Sequence, residues 1–113
     1  MSVTDLPQKE RPISEEFRLV AKSWVDAEAA AQLLEDTKSS VLAQMILKQG
    51  DIAHNKAETA VKASEDWRDH VARIVEARRE ANMRKVHLEH IRMKFSEWQS
   101  VNANLRHEAR LGR

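Results

Sequence analysis

The sequence contains no cysteine and no tyrosine, and only two glycines and two prolines among its 113 residues. The missing thiols exclude disulfides, thiolate metal sites and cysteine nucleophiles together. Scarce glycine and proline leave few places for tight turns, and the lack of tyrosine with sparse β-branched runs leaves little to build strands from. No apolar run approaches the ~20 residues that cross a bilayer. The opening stretch MSVTDLPQKERPIS has no apolar segment of the secretion-signal kind. The expectation is a cytoplasmic protein without a membrane partner. An excess of one charge is missing too: 19 basic side chains face 18 acidic ones. Wholesale phosphate neutralisation, as in a histone, is thereby excluded, and any basic surface has to be local.

The remaining option is helix, by elimination and by pattern. Residues 1–13 are polar, hold both prolines and show no periodicity, which predicts a flexible arm. Residues 14–113 then form a single helical domain. Pro12 restricts Ile13, Ser14 is placed to cap, and Glu15 and Glu16 put negative charge beside the free N–H groups of a first turn. Phe17, Val20, Trp24, Ala27, Ala31, Leu34, Val41 and Met45 then recur at spacings of three and four, interrupted once at Lys38. This predicts a first helix over about 14–49, stopped by Gly50.

Residues 50–64 read as a connection holding a short helix near 56–63, with Asn55 and Glu58 spaced as a capping box and Ser64 poised to cap the next helix. From Glu65 to about Leu111 there is neither glycine nor proline. Along this stretch Trp67, His70 or Val71, Ile74, Ala77, Ala81, Arg84, Leu88, Ile91, Phe95, Trp98, Asn102 and Leu105 form one seam. A helix over 65–111 would span roughly 70 Å, whereas a compact domain of this length has a radius of gyration of about 13 Å. An elongated all-α molecule is therefore predicted.

Folding the two long helices back on each other as an antiparallel hairpin would set Met45 beside Trp67 or Val71. The same register brings Ala27 and Ala31 near Ala81 and Ala77, Trp24 near Leu88 and Ile91, and Phe17 near Phe95 and Trp98. Small residues then meet small ones and large meet large. A second apolar set, Val75, Val86, Met93 and Val101, is left over on the last helix and predicts self-association, most simply a dimer forming a four-helix bundle.

Chemistry has little to work with. His87 and His90 share a helix face, but no third or fourth ligand stands near them in sequence, and Asp51 and His54 suit a turn and a cap. Serines 39, 40, 64, 96 and 100 lie on predicted helices or caps without a glycine-rich elbow. Glu76 and Glu80 are simplest as helix-surface partners of arginines. The reading is a non-enzyme with no cofactor and no metal. The densest basic stretch supplies Arg78, Arg79, Arg84, Lys85, Arg92 and Lys94, within a last segment (65–113) holding 11 basic and 8 acidic residues. These six are the candidate face for a partner or for nucleic acid. Interleaved Glu76, Glu80 and Glu89 make an ordinary charged helix face the simpler reading. Trp24, Trp67 and Trp98 all fall on seams and read as core rather than as base-stacking platforms.

Three stretches, Trp24 to Ala30 (WVDAEAA), Val61 to Ser64 (VKAS) and Val86 to Ser100 (VHLEHIRMKFSEWQS), resemble small helical accessory proteins encoded in bacteriophages and prophages. The similarity runs from Phe17 to Leu111 and consists of packing patterns without a catalytic signature. It implies an accessory role inside the host cytoplasm, by protein–protein binding that inhibits a host defence nuclease or assists a phage recombination factor. Two alternatives stand beside it. One is a weak, sequence-independent nucleic-acid-binding accessory in recombination or replication, and the other is a structural or assembly component.

Overall fold

The computed structural model describes residues 12–112. Among these the chain is all-α, with four helices and no strand: α1 (Ile13–Asp36), α2 (Lys38–Leu47), α3 (His54–Lys62) and α4 (Glu65–Leu111). No described helix is long and apolar enough to cross a membrane. The expected arm falls largely on residues 1–11, outside the described residues. Its last residue, Ile13, already belongs to α1.

The helix boundaries follow from local chemistry, with three departures from the sequence reading. First, α1 does not use Ser14 as its cap. The Pro12 carbonyl accepts from the backbone N–H groups of Glu15 and Glu16, both at 3.0 Å, so Ser14 lies within the first turn. Glu15 turns to Arg18, one turn on, and this bond holds the Arg18 guanidinium above its ordinary pKa.

Second, the helix expected over 14–49 is two helices that meet at Thr37. The Thr37 hydroxyl donates to the Leu33 carbonyl at 2.7 Å and lies 3.4 Å from the Leu34 carbonyl. The backbone ladder continues across Thr37, from the Thr37 N–H to the Leu33 carbonyl and from the Val41 N–H to the Thr37 carbonyl, both at 3.0 Å, and the same back-bond from Thr59 to Asn55 leaves α3 unbroken. Thr37 sits one residue before the interruption in the apolar spacing at Lys38. The break is thus visible in the sequence as a fault in the pattern, though not as a stop.

Third, α3 begins at His54 with Ala53 as its cap, and no side chain bonds there. The Asn55–Glu58 capping box does not form. Glu58 points forward instead, to Lys62 Nζ at 2.9 Å, with His54 Nε2 at 3.6 Å. The Lys62 hydrogen bond draws the Glu58 carboxyl below its usual range.

Two expected signals act as read. Gly50 adopts a φ of +82°, the left-handed conformation that reverses the chain after α2 and that residues with a Cβ rarely take. Ser64 accepts from the Trp67 N–H at 3.2 Å, the N-cap bond that opens α4, while its own hydroxyl donates to the Val61 carbonyl.

The chain divides into two compact units. One comprises Val25–Asn82, and its core is Ala31, Ala57, Val61, Trp67, Ile74 and Ala81. His70 is buried with them, so of the two seam candidates His70 and Val71 it is the histidine that turns inward. The Trp67 and His70 rings lie 5.7 Å apart. The other unit joins the beginning of α1 to α4 from Met83 onward, and buries Leu88 and Ile91. Phe17, Val20 and Trp24 are half-buried there.

In this second unit the sequence reading needs its largest correction. The seam spacing places Phe95 and Trp98 in the core, yet Trp98 is 53% exposed and Phe95 lies at the edge of a groove lined by Ile13, Ser14, Phe17 and Arg92. Beyond Ile91 no described residue of α4 is buried. The reason is length: Ile13, the first residue of α1, is already level with Phe95.

Candidate functional site

The six basic residues of the candidate face have quite different surroundings. In the unit Val25–Asn82, Arg78 is fully engaged. Its Nε and Nη2 donate to both oxygens of Glu35 at 2.7 and 2.8 Å, and Nη1 donates to Glu28 at 2.7 Å. The planar guanidinium fork matches a carboxylate, so one arginine ties two glutamates of α1 to α4. The bond to Glu35, then that to Glu28, raises the Arg78 pKa, and the same bond holds the Glu35 carboxyl below its ordinary value. One positive charge between two negative ones makes this cluster anionic. Arg78 is therefore not available to phosphate, and the basic face loses its first member. Arg79, the next residue, makes a 3.3 Å surface contact with Glu76.

In the other unit, Arg84 bonds the Ser23 hydroxyl, and Arg92 lies over the Phe17 ring, 5.7 Å from its centre. The second arrangement is a cation–π contact that covers part of an aromatic face. Lys85 and Lys94 are exposed. Lys85 and Arg92, seven residues apart, share a side of α4, but Lys94 stands roughly 160° round the helix from Arg92. The cations in this unit ring the helix rather than pave one face.

The candidate self-association residues are all on the surface: Val75 in one unit, and Val86, Met93 and Val101 in the other. Met83 and Leu105 are exposed beside the latter three. Sequence reasoning places Trp98 and Leu105 on the covered seam and so misses them as surface. Periodicity identifies a face, but it carries no information on whether a partner helix is long enough to cover it.

His87 and His90 are exposed. Among the described residues no three His, Cys, Asp or Glu side chains converge on a common point. The buried His70 Nε2 finds no hydrogen-bond partner among the described residues, a cost the fold carries at the Trp67 cluster. No protein-family model, curated protein or solved structure matches the chain.

Proposed function

We propose that the protein works by binding another protein and carries out no chemistry of its own. The observation that carries this reading is the apolar surface of α4 from Met83 onward, where Met83, Val86, Met93, Trp98, Val101 and Leu105 are each more than half exposed. A single surface apolar residue needs no explanation, but six recurring along one stretch of a helix mark an interaction surface. An antiparallel hairpin of α1 and α4 is part of the proposal. Each unit lends its own support: within Val25–Asn82, Glu28 and Glu35 of α1 meet Arg78 of α4, and within the other unit Ser23 meets Arg84 and Phe17 meets Arg92. The exposed α4 surface from Met83 onward can occlude a partner without catalysis.

The resemblance to phage and prophage accessory proteins directs the search for that partner to host defence nucleases and phage recombination factors. The nucleic-acid alternative has less to draw on, because Arg78 is neutralised by two glutamates and Arg92 is committed to Phe17. Affinity capture with the intact chain, repeated with Val86→Glu and Met93→Glu together, tests the reading. A partner captured by the wild type and lost from the double variant, with helicity unchanged, is expected. Failure to bind any protein, with DNA retained at physiological salt and released on charge reversal at Lys85 and Lys94, would overturn it.

A further inference from the structure

The far end of α4 carries a pattern that a general binding surface leaves unexplained. Trp67, Ile74, Ala81, Leu88, Phe95, Asn102 and Ala109 are each seven residues apart, and His70, Ala77, Arg84, Ile91, Trp98 and Leu105 form the companion series. These are the a and d positions of a heptad repeat sustained through the whole helix. Within the unit containing Met83–Arg113, Leu88 and Ile91 use these positions to bury. The same register then runs on, uncovered, through Trp98, Asn102, Leu105 and Ala109, which line one open groove along α4. The Trp98 ring stacks on Phe95 with 5.9 Å between centres, so the strip begins from an organised aromatic pair.

We propose that this strip, Phe95 to Ala109, is covered by the same strip of a second copy of the chain, in a parallel, in-register pair. The proposal rests on the reading of exposed α4 as a binding surface. Three features choose this occupant. The strip continues a packed interface in unbroken register, so a helix of the same period fits it. Asn102 is a polar residue alone among apolar ones at an a position. A single asparagine there pairs with its own counterpart in a two-stranded coil and fixes the register. Finally, the flanking residues suit the parallel arrangement: Lys94 of one copy faces Gln99 of the other, and Val101 faces the aliphatic stem of Arg106, with no like charges opposed.

Size sets the strength. The exposed parts of Phe95, Trp98, Val101 and Leu105 amount to something on the order of 400 Å² per copy, given the 150 to 250 Å² of an aromatic side chain. Two copies bury less than the ~1,200 Å² of a stable interface, so the dimer is a weak one that forms with rising concentration. A foreign partner can still reach Val86 and Met93, which lie off the strip.

The chain's lack of cysteine gives a direct test, since one introduced thiol is unique. Under mild oxidation Asn102→Cys is expected to form a disulfide-linked dimer at least tenfold faster than Ser100→Cys, whose position turns away from the strip. Light scattering on the wild type is expected to show monomer passing to dimer with concentration. Leu105→Ala should weaken that equilibrium at least tenfold without loss of helicity, and Asn102→Leu should strengthen it or raise the oligomeric state. Equal cross-linking at positions 100 and 102 would overturn the proposal. So would a monomer at every concentration. In that monomer, slow maleimide labelling of the Asn102→Cys thiol would show the strip to be covered within one chain, and fast labelling would leave it to a foreign partner. Capture of a partner through Val86 and Met93 would still stand in either case, which separates the failure of this pairing from failure of the binding function.

Discussion

Residues 25–82 and residues 83–112 draw on one helical pattern and use it to opposite ends. In the first region, side chains from α1, α3 and α4 are buried, down to 2% exposure at Val61 and none at Ala31 and Ala81. In the second, Leu88 and Ile91 are buried and every later described residue of α4 is not, although the seam spacing continues through Phe95, Trp98 and, past the polar Asn102, Leu105. The comparison teaches that a repeat of threes and fours specifies a sticky side of a helix, while burial needs a second surface of matching length. Where α1 begins, near Phe95, coverage ends.

The largest expected effect tests the covered part of the second region. Ile91 is 1% exposed, and Ile91→Ala should lower stability by ~2 to 5 kcal/mol, because a buried cavity adds to the lost transfer free energy. Thermal melts and urea titrations would measure it. A cost below about 1 kcal/mol would mean that the few buried side chains of this region do not anchor α4.

Gly50 tests the other region at its turn. At a φ of +82° an alanine Cβ meets nothing within 4 Å, so the penalty is purely conformational. Gly50→Ala should therefore cost about 1 to 2 kcal/mol through the left-handed backbone alone. Gly50→Asn, which tolerates that conformation better, should recover part of the loss in the same melts.

Trp98→Ala sharpens the comparison within α4. Half exposed and stacked on Phe95, Trp98 should cost about 1 kcal/mol or less when truncated, measured at protein concentrations low enough to exclude association. A loss equal to that of Ile91→Ala would show that the strip is covered within one chain, and the distinction between the two regions would collapse.

The smallest effect concerns Arg78 and its glutamates. Because Glu35 has a folded pKa below its ordinary 4.5, its contribution is full above that value and is lost as pH falls through the lowered one. Acidification below about pH 4.5 should therefore destabilise the wild type, and Glu35→Gln should show a shallower loss. These groups are partly solvated, so raising the salt should shrink the difference between the two chains. An identical acid profile for both would remove the ion pair from the account.

Composition and periodicity determined the helical class, the α4 boundaries, the Ser64 cap and the Gly50 reversal, because each depends on neighbours within a turn or two. Tertiary structure decided the features outside that range. Glu58 chose Lys62 over a capping box. Arg78 reads from sequence as one more cation in a basic run, and is part of a net negative cluster because Glu28 and Glu35, some forty to fifty positions earlier, reach it. The exposure of Trp98 was hidden for the same reason. A heptad records which side of a helix is apolar, whereas the point on α4 beside which α1 begins, near Phe95, is a matter of tertiary contacts.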